Sequence, residues 1–393
     1  MTTLPLVTLQ GQLADYTLSG RTLASVPRTE FNRLAYSAAH VVANPRSALD
    51  PWLDCAVDWD ATLAYRHHLW SLGLGVAEAM DTAQRGMGMD WPTSRELIRR
   101  TLEAARGVPG ARVASGCGTD HLDLVQVKNL DDVIRAYDEQ IEAIESMGGQ
   151  LIIMASRALV KVARSPDDYE KVYDHILSQV QSPVILHWLG DMFDPALAGY
   201  WGHTDLDRAT ATALGVIQAH AAKVDGIKIS LLDKDREIAM RRQLPRGVRM
   251  YTGDDFNYAE LIAGDGHGSE EVHRHSDALL GIFDAIAPAA SAALSALARG
   301  DHQRFHDILS PTVPLSRHIF QAPTRFYKTG VVFMAWLNGH QSHFTMVGGQ
   351  QSARSLPHLC ELFRLADQAG LLQDPDQAVG RMRQWLAVQG IGQ

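Results

Sequence analysis

Two periods alternate along the chain. Short apolar runs end in polar or glycine-rich turns, and each gives way to a longer stretch with apolar positions three and four apart. The short runs predict strands at Leu34–Val42, Leu74–Met80, Arg112–Ser115, Gln150–Met154, Pro183–His187, Asp225–Ser230, Val248–Thr252 and Leu280–Ile286. Helical spacing fills the gaps at Asp60–Leu72, Ser94–Ala105, Leu130–Met147, Asp167–Gln179, Asp205–Ala222, Arg236–Gln243 and Tyr258–Ile262. The punctuation agrees, since Ser94 follows Pro92 closely and Gly148-Gly149 closes the long helix. Ahead of this rhythm, Leu4–Leu9 and Gln12–Leu18 read as a strand pair turned at Gly11.

Eight strands alternating with helices give an α/β chain, either an open doubly wound sheet or a closed barrel. An open sheet usually carries a glycine-rich phosphate turn after its first strand. Here that strand ends in Ser37-Ala38-Ala39-His40, with no G-x-G-x-x-G. The count of eight over roughly 250 residues favours a (β/α)8 TIM barrel. From about Pro288 the chain turns to amphipathic helical segments: Ala289–Arg299, His302–Leu309, Thr329–Gly339, Leu356–Ala369 and Pro375–Gln389. The expected organisation is an N-terminal cover at 1–30, the barrel at 31–290 and a C-terminal helical extension at 291–393. The apolar face of Val331, Val332, Met334 and Trp336 suggests that the extension also packs on a neighbouring subunit, as a homo-oligomer (dimer or tetramer).

Composition narrows the class. With 393 residues, 46% of them hydrophobic, the chain can bury a large core. A net charge of −9 argues against a nucleic-acid partner, which needs a basic face. No apolar stretch approaches the ~18 residues of a membrane span. Met1-Thr2-Thr3-Leu4-Pro5 lacks the basic start and apolar core of a signal peptide. Cys55, Cys117 and Cys360 form neither a disulfide framework nor a metal knuckle. The expectation is a cytoplasmic protein without membrane or nucleic-acid partner.

One strand carries unusual chemistry. In Val224-Asp225-Gly226-Ile227-Lys228-Ile229-Ser230, alternation puts Ile227 and Ile229 on one face and Gly226, Lys228 and Ser230 on the other. A lysine inside a strand either snorkels at its end or sits desolvated. A desolvated lysine has a lowered pKa and can attack a carbonyl. The active sites of such barrels lie at the carboxyl ends of the strands. Those ends supply Ser37, His40, Asp81, Thr82, Gln84, Arg85, Thr119, Asp120, His121, Ser156, Arg157, His187, Trp188, Asp254, Asp255 and Asp284.

Four short motifs in order resemble the dihydrodipicolinate synthase and N-acetylneuraminate lyase superfamily, and more narrowly an uncharacterised dihydrodipicolinate synthase-like branch. Gly226-Ile227-Lys228 is similar to the G-I-K strand of the Schiff-base lysine, and Gly253-Asp254-Asp255 to the G-D-D that follows the next strand. Gly116-Cys117-Gly118-Thr119 resembles the G-x-G turn, and Pro183-Val184-Ile185-Leu186 the P-V-I-L strand before a Y-N pair. The resemblance spans roughly residues 30–310 and implies a TIM barrel enzyme with Lys228 as its Schiff-base lysine. Departures accompany it. Met80-Asp81-Thr82-Ala83 stands where the family carries G-T-T for the substrate carboxylate, and Asp81 would repel one. Met154-Ala155-Ser156-Arg157-Ala158 lacks the family's proton-shuttling tyrosine, and His187-Trp188 replaces Y-N.

The reading that follows is a class I aldolase or related lyase acting on a small carbonyl compound, a keto acid or keto sugar derivative, with no cofactor and no metal. Lys228 forms the iminium and His187 accepts the proton. Asp81, Thr82, Thr119, Ser156, Arg157, Trp188, Asp254 and Asp255 bind substrate, with Arg157 gripping a carboxylate or phosphate. The alternative is a metal-dependent sugar isomerase or epimerase with ligands drawn from His187, Asp254, Asp255, His267 and Glu270.

Overall fold

A computed structural model describes residues 2–23, 26–268 and 270–391. A two-stranded antiparallel sheet, β1 (Thr3–Val7) and β2 (Leu13–Thr17), comes first, with Gly11 at φ +80° in its turn. Eight parallel strands follow: β3 (Ala35–Ala38), β4 (Gly75–Glu78), β5 (Val113–Cys117), β6 (Gln150–Ile153), β7 (Val184–Leu189), β8 (Val224–Ser230), β9 (Arg249–Thr252) and β10 (Asp277–Leu280). They close into a barrel in chain order, β10 pairing with both β9 and β3. Nearly every strand residue is buried, because helices cover the outer face and side chains fill the inner one. That double burial is why the strands read as continuous apolar runs.

The helices form where caps and periodicity coincide. Asp58 caps Trp59–Ser71 by accepting from the Ala61 N–H at 3.1 Å, and Asn129 with Asp132 forms a capping box at Leu130–Ser146. The barrel interior is a small core of its own, built by residues such as Tyr36, Ala77, Ala114, Ile152, Ile185, Tyr251 and Leu279. The strand expected at Leu280–Ile286 is corrected. The strand is Asp277–Leu280, and Ile282–Ala285 is helical. Asp277 anchors it early by accepting from the Leu34 N–H at 2.7 Å and pairing with Arg249 at 2.8 Å. Two helices, Arg157–Val162 and Val313–Ile319, were not anticipated. Each is too short to show a full apolar period.

The C-terminal helical extension lies across the carboxyl end of the barrel. Its helix Val313–Ile319 is tied to the loop after β9 by the Ser316 hydroxyl, which donates to the Asp255 carbonyl. Helix Tyr327–Leu337 begins over the loop after β4, where the Tyr327 and Thr82 hydroxyls are 2.7 Å apart. The apolar face expected to meet a neighbouring subunit is spent within the chain: Val331, Val332, Met334 and Trp336 are all buried. The N-terminal pair docks on this extension. The Tyr16 hydroxyl and the Ser19 N–H both donate to Asp367 in helix Leu356–Gln368, at 2.6 and 2.7 Å.

Candidate active site

Alternation along β8 points Lys228 into the barrel, and Gly253 lets it through. A Cβ at Gly253 would meet Lys228 Cε at 2.7 Å and Ser230 Oγ at 2.2 Å. Gly226, one step below, leaves no room for substrate, because the Tyr251 ring fills the space at 2.7 Å from where its Cβ would be. The Tyr251 hydroxyl points away, donating to Asp225 at 2.6 Å. Lys228 therefore surfaces above a packed interior, in a narrow pocket with about 10 Å³ of free volume. Its polar walls are Asp81, Thr82, Ser230, Asp255 and Tyr327, and Phe193 and Phe320 supply aromatic ones.

The electrostatics of this cavity are set by burial. Lys228 is 7% exposed and has no carboxylate within ion-pair distance among the described residues. Burial pulls its amine below the usual lysine range, against the opposing pull of Asp255 and Asp81. The same burial pushes the Asp255 carboxyl up, only partly offset by the N–H of Ile282 at 2.9 Å and by Lys228. An amine driven toward its free base thus shares a cavity with a carboxyl driven toward its acid form. That combination suits carbonyl addition followed by loss of water.

The other expected residues divide. Thr119, Arg157 and His187 line a side chamber of about 100 Å³ that shares Asp81 and Leu189 with neighbouring spaces. His187 pairs in register with Lys228, but its Nε2 reaches only the Ser230 hydroxyl at 3.4 Å. Burial, and then Lys228, hold its pKa well below the usual imidazole range. Ser156 caps helix Arg157–Val162 through the Leu159 N–H at 3.0 Å and meets the Thr119 hydroxyl at 2.7 Å. Arg157 is paired with Asp194. Two expectations are corrected. Trp188 faces the helix layer and packs on Trp201 at 6.3 Å, because its neighbour His187 takes the inward position. Asp254 is occupied as a turn cap, accepting from the Phe256 and Asn257 N–H groups at 2.8 and 3.0 Å.

The ligands of the metal-dependent alternative do not converge. Glu270 accepts from the Gly247 N–H at 3.0 Å and pairs with Arg246, and His267 is exposed. Among the described residues no three histidine, cysteine, aspartate or glutamate side chains are grouped to hold a metal.

Sequence reasoning missed the contribution of the extension. Outside the Lys228 pocket lies a vestibule of about 330 Å³, and the two spaces share Asp81, Leu189, Phe193 and Tyr327. Arg325, Tyr327 and Lys328 reach it from beyond the barrel. Tyr327 stacks on Phe320 at 4.3 Å, and burial raises its hydroxyl pKa well above the ordinary range. The signal was present in the sequence. Tyr327-Lys328 opens a helix apolar on every side, where a lysine has no solvent face to occupy. A larger cavity, about 600 Å³, opens at the opposite end of the barrel beside Leu34 and Gly75, and no lysine or cysteine is among the residues lining it.

Residues 4–391 match the DUF993 family, described as proteins of unknown function. The chain belongs to that family. Among curated proteins none matches by sequence. Among solved structures, the fold is that of the dihydrodipicolinate synthase family. The dihydrodipicolinate synthase of Aquifex aeolicus superposes with a TM-score of 0.64 at 12% identity, covering 87% of this chain and 99% of its own. YagE, a prophage protein of the dihydrodipicolinic acid synthase family from E. coli K12 solved with pyruvate, gives 0.64 at 13% identity, with 86% and 99% covered. The synthase of Cyanidioschyzon merolae, solved with lysine bound, gives 0.62 at 14% identity, with 88% and 100% covered. No helix among the described residues is long and apolar enough to cross a membrane.

Proposed function

We propose that this DUF993 protein is a Schiff-base-forming lyase of the class I aldolase type, acting on a small carbonyl compound. One observation carries the reading: Lys228 is buried in a narrow pocket, without an ion-pair partner among the described residues, and shares that pocket with Asp255, whose carboxyl burial pushes up to about 7. The Nζ lone pair of Lys228 adds to the carbonyl carbon. Asp255 then supplies the proton with which the carbinolamine hydroxyl leaves as water, giving an iminium. The iminium draws electrons from the neighbouring carbon–carbon bond as Asp255, now a carboxylate, takes the proton of the substrate's β-hydroxyl. A carbonyl fragment departs, Asp255 passes that proton to the enamine carbon, and water hydrolyses the resulting iminium, freeing the Lys228 amine and returning a proton to Asp255.

In this scheme Asp255 holds the role that the sequence reading gave to His187, which stands behind Ser230. The Tyr327–Thr82 hydroxyl pair lies on the same cavity wall and offers a neutral donor to the departing oxygen. The cytoplasmic setting and the assembly of identical chains remain parts of the proposal. Trp52 and Leu53, 75% and 76% exposed, are among the apolar side chains open to such an assembly.

Borohydride reduction with a panel of small aldehydes and ketones tests the reading. A mass adduct on the peptide containing Lys228, absent from Lys228→Ala, is the expected result. Turnover retained by Lys228→Ala would overturn it.

A further inference from the structure

The cavity around Lys228 is badly built for a carboxylate next to the reacting carbonyl. It holds two acidic side chains, Asp81 and Asp255, and no cation besides the reacting lysine. The cations are outside, in the vestibule. Lys328 is 3% exposed, yet no carboxylate lies within ion-pair distance of it among the described residues. Its Nζ donates to the Arg325 carbonyl at 3.0 Å and to the poor acceptor Met87 Sδ at 3.2 Å, which leaves a third N–H. A buried ammonium so poorly partnered is costly in the empty protein, and the cost falls when an anion arrives. Burial holds its pKa down at about 8, so it is still mostly protonated at neutral pH.

The surroundings agree in sign. Arg325 lies over the Phe326 ring at 4.9 Å and has no ion pair among the described residues. Arg85 is consumed by Asp120 and Gln140, and Arg157 by Asp194. What remains uncompensated in the vestibule is Lys328 and Arg325 against Asp81 alone, and Asp81 stands on the wall shared with the inner cavity. Two separated cations match a dianion better than a monovalent carboxylate.

We propose that the Lys328–Arg325 vestibule binds a phosphate group, and that the substrate is a phosphate-bearing carbonyl compound whose charged end lies away from Lys228. The position of the carbonyl end rests on the Schiff-base reading, whereas the phosphate site does not.

Inorganic phosphate is the probe, titrated by calorimetry at fixed ionic strength. Saturable binding is expected for the wild type, weakened about tenfold or more in Lys328→Met, as loss of one charged hydrogen bond predicts. Arg325→Ala should weaken it several-fold, and Lys228→Ala should leave it unchanged. No saturable binding by the wild type, or unchanged binding by Lys328→Met, overturns the proposal. Should Lys328→Met fail to fold, acetic anhydride labelling of the wild type with and without phosphate serves instead. Protection of the Lys328 peptide supports the site, and equal labelling, including none, overturns it. Phosphate binding without any Lys228 adduct would remove the Schiff-base reading and leave this site. A Lys228 adduct without phosphate binding would do the reverse.

Discussion

Lys228 and Lys328 are both buried, both lack an ion pair among the described residues, and both have depressed pKa values caused first by desolvation. They differ in what built their surroundings. Lys228 stands on a barrel strand, where pairing and alternation fix its direction, and it faces two acidic side chains in a narrow pocket. Lys328 stands at the start of an extension helix and faces arginines in a vestibule of about 330 Å³. Asp81 is the hinge of the comparison, because it lines both spaces and raises the pKa of both lysines. Depressed lysines of one kind thus suit two tasks. Beside a protonated carboxyl the amine can act as a nucleophile, and among arginines the ammonium can hold an anion.

The comparison breaks most sharply at Lys228. Lys228→Ala should lower turnover on the order of 10⁴-fold or more and abolish the trapped adduct, since the residue would form the covalent intermediate. Lys328→Met should leave adduct formation with a small unphosphorylated ketone intact. Peptide mass spectrometry after borohydride reads both outcomes, and equal loss of adduct in the two variants would erase the distinction.

Asp255→Asn comes next, with kcat expected to fall about 10²–10⁴-fold. The wild-type rate should follow a bell. Activity rises as Lys228 loses its proton, and falls at higher pH as Asp255 loses the one it donates. Both limbs belong to the interacting pair. The variant should lose the alkaline limb. Its acid limb should stay near the wild-type position, because Asp255 is neutral while Lys228 loses its proton. A bell unchanged in a pH–rate profile would remove Asp255 from the scheme.

Tyr327→Phe keeps the stacking on Phe320 and deletes the hydroxyl that meets Thr82. An effect of about 10²-fold on kcat is expected, at the lower end for proton transfer. Thr82→Val should match it, and the double variant should cost little more than either single one. Additive losses in that cycle would show that the two hydroxyls act separately.

The smallest effect sharpens the comparison most directly. Asp81→Asn should lower both lysine pKa values, because the Asp81 charge raises each of them. The pH dependence of acylation, followed on the two peptides separately, measures it. A shift at one lysine alone would mean that Asp81 belongs to one space only.

How much of this was legible in the sequence depends on the range of the interactions involved. Short apolar runs placed seven of the eight barrel strands near their observed positions, and the last was displaced, because the Asp277 anchor looks like a loop carboxylate until Leu34 and Arg249 are brought beside it. The inward direction of Lys228 followed from alternation within one strand. Trp188 was misjudged although the same rule applied, since a polar neighbour at a strand end was read by position instead of by face. Asp254 and Asp255 could not be told apart as neighbours. One turns to cap its own loop, and the other meets the backbone of Ile282.

The sequence by itself determined the repeating α/β order, the closure into eight strands and the lysine of β8, because these depend on local periodicity and on strands that pair with near neighbours in the chain. Tertiary structure alone decided that the C-terminal extension covers the barrel mouth and that Tyr327 meets Thr82 across 245 residues of chain. It also decided that Lys328 and Arg157 line one vestibule. Contacts of that length leave no periodic trace. They are selected by the free energy of burying one apolar surface against another, and the polar groups carried along are desolvated as a consequence.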